Sequence, residues 1–211
     1  LSRAFRIAIL VLVSTGASAG VLAAAPADLA KWARLPADWK SVAVVDRQAT
    51  MSADKWSFLH AGEEIAHADL SASFTLHEPA KQFRFFGEGW SAWPDPTFGD
   101  GGFEAALLLR GGKDSGYRVQ FSHKYQVVAL VRYPEGGYVR VVPCAIKLKQ
   151  PHALRVRCDG DQIVVQLDGQ EKILYRDPFL PIDKGVFGIG VSSSAKVTFA
   201  DVDLQAIKPS V

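Results

Sequence analysis

Apolar and polar residues alternate with a period of two through much of this chain, and Gly, Asp, Pro and Ser interrupt the alternation at short intervals. In LRVRCDGDQIVVQLDGQ, residues 154–170, Leu154, Val156 and Cys158 alternate with Arg155 and Arg157. Ile163, Val165 and Leu167 share one parity beyond the first Asp-Gly pair. A period of two places one strand face on a core and the other in water. With Asp159 and Gly160 as a two-residue turn, Val156 lies opposite Ile163 and Leu154 opposite Val165. A longer loop shifts the pairing by two and still sets apolar against apolar, so the pattern defines the buried face and leaves the register open.

The same pattern predicts strands around 56–59, 69–76, 82–86, 103–110, 117–122, 127–133, 138–145, 154–158, 163–167, 172–175, 186–191 and 196–204. About twelve strands exceed what one open twisted sheet carries, so the expectation is an all-β, two-sheet antiparallel sandwich. Residues 20–55 read as an N-terminal strap, with a short helix over 29–34 closed by Leu35-Pro36. Whether that strap completes the sandwich or tethers it is left open. Residues 56–207 form the sandwich itself, with no linker to divide them.

The first residues change the picture of destination. Arg3 and Arg6 precede an apolar run from Ile7 to Val13, and small residues end in Ala17-Ser18-Ala19. This order predicts a signal peptide over 1–19, with residue 25 as the alternative end. The run is far shorter than the roughly 20 residues a bilayer core requires, so no membrane span is expected after cleavage. The expected location is secreted or periplasmic. Without residues 1–19 the Lys and Arg count falls from 24 to 22, equal to the 22 Asp and Glu. A near-neutral chain lacks the basic patch that nucleic acid or an anionic membrane would need. Cys144 and Cys158 are either a disulfide, which an exported location permits, or two buried thiols.

The order of segments FEAALLLRGGKDSGYRVQFS, VVALVRY, HALRVRCDGDQIVVQLDGQ and GVFGIGVSSSAKVTFADVDLQAI resembles the concanavalin A-like and laminin G-like jelly roll. The likeness covers about residues 56–207, with Arg110 before a Gly-rich turn, the Gly116-Tyr117 strand start and Phe199 followed by Asp201-Val202-Asp203. It implies a jelly-roll sandwich and a carbohydrate ligand, as in legume lectins and carbohydrate-binding modules. A partial likeness extends to the 3-keto-disaccharide hydrolases, where Asp114-Ser115-Gly116 and Gly188-Ile189-Gly190 stand in place of the family's Asn-Ser-Gly and its Gly-Leu-Gln-like step. One fold hosts many functions, so the likeness is to an architecture first.

Candidate chemistry is spread over two places. Trp90, Trp93 and Phe98 lie in a turn-rich stretch, where open rings would stack on sugar C–H faces and Glu88, Asp95 and Asp100 would accept hydroxyl bonds. The alternative is that these rings fold back as a lid. The resemblance also implies a structural calcium ion, for which Asp95 and Asp100 are the candidate ligands. Arg118 and Gln120 share one face of the 117–122 strand, opposite Tyr117, Val119 and Phe121, with Arg110 and His123 at its approaches. If that face is concave, Arg118, Gln120 and His123 would meet sugar hydroxyls; otherwise it is a solvated outer face. The Glu-x-Asp-x-x-Glu strand of family 16 glucanases is absent, and the histidines show no zinc spacing. The expected function is lectin-like binding of a poly- or oligosaccharide without catalytic machinery. The alternatives are a 3-keto-glycoside hydrolase, with His123 or Asp100 as base, and a structural or protein-binding module.

Overall fold

The computed structural model describes residues 27–79, 102–112, 115–133, 137–178 and 181–210. Fourteen strands among them form two sheets of seven. In the first sheet β1 (Ala33–Leu35), β4 (Ser57–His60), β13 (Val186–Val191), β6 (Ala105–Gly111), β7 (Gly116–Ser122), β8 (Val127–Tyr133) and β9 (Gly137–Pro143) lie side by side in that order. The second runs β12 (Gln170–Arg176), β11 (Gln162–Leu167), β10 (Pro151–Asp159), β5 (Ala68–Glu78), β14 (Ala195–Ala206), β3 (Gln48–Ala53) and β2 (Val42–Val45). Neighbouring strands are antiparallel throughout.

The alternation explains the core. In β10 and β5 every second residue is buried, so Leu154, Val156 and Cys158 join Leu70, Phe74 and Leu76 on the inner side of the second sheet. Leu107, Val119, Phe121 and Leu130 complete that core from the first sheet. Phe74 is central, its ring centroid 5.0 Å from Phe121 and 6.2 Å from Phe199. Aromatic rings at such separations add packing energy beyond the apolar area they remove from water.

The hairpin of residues 154–170 takes the shifted register. Val156 pairs with Val165, Cys158 with Ile163 and Leu154 with Leu167, and Asp159 with Gln162 is the last pair. The turn is therefore Gly160-Asp161, with Gly160 at φ +57°, which places Gly at the first central position as a type II′ turn requires. Asp159 stays on the strand, where its carboxylate accepts from the Ser210 amide and hydroxyl and from Arg157. These bonds hold its carboxyl below the usual range, the Ser210 hydroxyl contributing most. In the second turn Asp168 and Gly169 both have positive φ, the type I′ pattern.

The N-terminal segment differs from a helical strap. Among its described residues helix is limited to one 3-10 turn, Leu29–Lys31, and the segment then supplies β1 to the first sheet and β3 and β2 to the second. Leu35 and Trp39 bracket a reversal rather than a helix end, and the Trp39 indole N–H donates to the Ser52 carbonyl at 3.0 Å. The sandwich thus has no edge at residue 56, because β3 pairs with β14 from Ala49↔Phe199 to Ala53↔Ala195. The strand expected at 82–86 lies outside the described residues.

Two buried polar ties close the sandwich. Arg110, 1% exposed, donates to the carbonyls of Ala66 (2.8 Å), Gly160 (2.7 Å) and Ile182 (3.0 Å), joining three connections to the end of β6. Tyr117 donates its hydroxyl to Asp177, whose carboxylate lies 3.0 Å from Arg132 Nε. Burial, helped by Asp177, pushes the Tyr117 phenol up to about 12. Cys144 and Cys158 are both free and buried, and burial pushes their thiols up to about 11 and about 12.

Candidate ligand-binding face

β6 and β8 carry apolar residues on both parities, AALLL and VVALV, and these runs are buried on both faces while Arg132 and Tyr133 at the end of β8 stay partly exposed. A strand buried on both sides needs such a continuous run. The inner parity builds the core. The outer parity builds two further clusters on the far side of the first sheet: Phe58, Ala106 and Leu108 with Trp56 and Tyr133, and Phe103, Val127 and Ala129 with Trp56 and Tyr138.

Aromatic rings dominate that face. Trp56 stacks on Phe58 at 5.8 Å between centroids and 16° between planes. The Arg118 guanidinium lies 5.4 Å from the Trp56 ring and 5.2 Å from the Tyr133 ring. A planar cation on ring faces gains the attraction of the ring quadrupole. Phe103 lies 5.7 Å from Tyr138 and 6.4 Å from Tyr125, whose ring is 38% exposed and faces solvent. Burial raises the Tyr133 phenol, against a smaller opposing effect of Arg118, and raises that of Tyr125 as well. Both hydroxyls are therefore neutral at ordinary pH, able to donate and to accept.

Glycines make room for these rings. A Cβ on Gly190 would stand 2.3 Å from Phe58 Cδ1, and one on Gly116 would meet the Tyr133 hydroxyl. Gly190 pairs with Phe58, and Gly116 with Tyr133, so each ring lies over the bare backbone of the neighbouring strand.

The residues expected from sequence divide as follows. Arg118 and Gln120 do share this face, but it is not a solvated one: Arg118 is half-buried and Gln120 is 4% exposed. His123 lies in the turn after β7 (residues 123–126), where its backbone N–H donates to Glu104 and its Nδ1 donates to the Ile146 carbonyl at 2.7 Å. Arg110 is separate, in its three-carbonyl tie. Trp90, Trp93, Asp95 and Asp100 lie outside the described residues. Trp56, Phe103, Tyr133 and Tyr138 were not singled out from sequence. The continuous apolar runs of β6 and β8 were the available signal that the outer face is built up.

The β7–β8 turn is braced from behind. The Gln126 carboxamide accepts from the Ile146 N–H and donates to the Ile146 carbonyl, each at 3.0 Å, so a side chain pairs with the 144–150 connection as a peptide group would. Tyr125 and its contact to Phe103 are mounted on that braced turn. Among the described residues no group of three or more His, Cys, Asp or Glu stands together to hold a metal ion. Nor is any described helix long and apolar enough to cross a membrane.

No family model matches the chain, and no curated protein matches it in sequence. Solved structures match it in shape. The carbohydrate-binding module CBM66 from Bacillus subtilis superposes with TM-score 0.62 at 17% identity, over 82% of this chain and 94% of that one. The carbohydrate recognition domain of Emp46p, in its metal-free form, does so with TM-score 0.56 at 13% identity, over 87% and 90%. A putative glycosyl hydrolase from Parabacteroides distasonis gives TM-score 0.53 at 10% identity, over 80% and 84%. The fold is a concanavalin A-like jelly roll. Within this jelly roll the aromatic face belongs to the sheet that carries the β6–β9 meander, and the opposite face, on the second sheet, is lined by small polar residues such as Ser71, Ser73, Thr75 and Thr198.

Proposed function

We propose that the protein binds a poly- or oligosaccharide through the outer face of the first sheet and does so without turnover. The observation that carries this is the partly exposed Arg118 guanidinium, which lies over both the Trp56 and the Tyr133 rings. Pyranose rings present flat C–H faces edged by hydroxyls, and they are held by aromatic planes next to planar donors. The similarity in shape to a carbohydrate-binding module and to a carbohydrate recognition domain supports the same reading. Trp90 and Trp93 are proposed as further stacking rings, with His123 supporting the rim. Asp95 and Asp100 remain the proposed calcium ligands. Signal cleavage after Ala19 and a secreted or periplasmic location fit a ligand found outside the cytoplasm.

The test is binding of the chain from Gly20 onward to an oligosaccharide and polysaccharide array, with and without calcium. Trp56→Ala and a Trp90→Ala, Trp93→Ala double variant accompany it, their folding checked by circular dichroism. Binding that is lost in folded Trp56→Ala assigns the face. Binding lost only in the double variant moves the site to the 80–101 segment. Turnover of a 3-keto-glycoside in place of retention would replace binding with hydrolysis.

A further inference from the structure

His152 opens β10 with its ring buried, 2% exposed, and packed on Phe74 at 5.4 Å between centroids. Its Nε2 lies 3.0 Å from the Lys147 backbone nitrogen. A backbone N–H only donates, so Nε2 holds a lone pair and the ring proton sits on Nδ1. Nδ1 in turn donates to Asp168 Oδ2 at 2.9 Å, and Asp168 Oδ1 accepts from the Ala153 N–H at 2.8 Å. The neutral ring therefore joins the 144–150 connection to the β11–β12 turn. A doubly protonated ring has no acceptor left, and its Nε2–H would point at the Lys147 N–H.

The groups facing His152 set the sign of this effect. Asp168, from the β11–β12 turn, is the carboxylate set against the ring. β5 sets the Phe74 ring against it, and the side chains of Lys147 and Lys149 are exposed. Cys144, within electrostatic reach of Asp168 and Lys172, is held neutral by burial. The Nε2–H of a charged ring would oppose the Lys147 N–H while the connection is closed, and withdrawal of Lys147 removes that opposition. Lys147 adjoins Ile146, which holds the Gln126 carboxamide and the His123 ring. Tyr125, between them in sequence, carries the solvent-facing edge of the aromatic cluster through Phe103.

We propose that His152 is a pH latch: its protonation frees residues 144–147 from the β7–β8 turn and lowers the affinity of the aromatic face in mildly acidic solution. The loss of affinity rests on the sugar-binding reading; the release of the connection does not. The test measures amide-exchange protection at Ile146 and Lys147, beside glycan binding, at about pH 8 and about pH 5, on either side of the usual imidazole range. In the unaltered chain protection at Lys147 falls about tenfold or more, the change expected when a buried hydrogen bond is lost. In His152→Gln the amide oxygen accepts from Lys147 and the amide nitrogen donates to Asp168, so protection and binding hold at both pH values. In Asp168→Asn, which keeps an acceptor but loses the charge, opening moves to lower pH. Unchanged protection in the unaltered chain, or an equal fall in His152→Gln, overturns the latch. If His152→Gln does not fold, the exchange midpoint at Lys147 must still coincide with the His152 ring titration followed by NMR, and a mismatch overturns it. Failure to bind any glycan at either pH sinks the sugar reading and the affinity claim, while the exchange data still decide the release.

Discussion

Arg118 and Gly190 are the residues on which the shape of the aromatic face most directly depends. Arg118→Lys keeps the charge but loses the plane that lies on Trp56 and Tyr133. The expected cost in stability is about 1 kcal/mol, read as a lower urea midpoint, together with weakened glycan binding. Gly190→Ala must displace the Phe58 ring, because the new methyl would stand 2.3 Å from it. The expected cost is about 1–3 kcal/mol, as for other overpacked sites, with tryptophan emission altered through the Trp56 stack. Stability unchanged in both variants would mean that the rings do not depend on these neighbours. Arg118 and Gln120 were legible as a pair because a strand's period of two is strict. Their surroundings were not, since rings such as Tyr133 and Phe103 reach that face from other strands and from a connection, a proximity that a single strand's pattern does not contain.

At the scale of elements, the two hairpin turns separate backbone chemistry from packing. A Cβ on Gly169 would touch nothing within 4 Å, yet the residue has φ +75°. Gly169→Ala is therefore expected to cost about 1–2 kcal/mol from the left-handed conformation alone, measurable by urea unfolding with no change in the near-UV spectrum. The strands β5, β10, β11 and β14 were legible because a buried and an exposed face print alternation directly into sequence. β1 and β2 were not: the residues of Ala33–Leu35 are all exposed, and those of Val42–Val45 are only partly buried on alternate positions. Edge strands held mainly by backbone bonds leave little hydrophobic signal. The hairpin register likewise depended on where Gly160 takes positive φ and on Ser210 holding Asp159, a contact from the far end of the chain.

For the whole molecule, the buried phenol and thiols predict an alkaline limit. Tyr117 moves from 10.0 to about 12, Cys144 from 9.0 to about 11 and Cys158 from 9.0 to about 12. Each folded-state value is raised, so the folded chain binds more protons than the unfolded one at high pH. Their contribution is fully present below pH 9 and is lost as pH rises from 9 to about 12. The urea midpoint is expected to fall across that window, and a midpoint flat to pH 12 would contradict it. The same burial predicts that a thiol reagent labels neither cysteine at neutral pH until the chain is unfolded.

The strand β14 pairs with β5 on one side and β3 on the other, so the last of the described strands lies inside the second sheet. During synthesis β3 waits for residues 195–199 before it has a partner other than β2. Closure of this layer therefore waits until residues 195–199 have been made. Sequence separations of this size, from residues 49–53 to 195–199, make folding slow. A polypeptide built in this way stays threadable until β14 has emerged, and a version lacking Ala195–Ala206 would leave both β3 and β5 with bare edges.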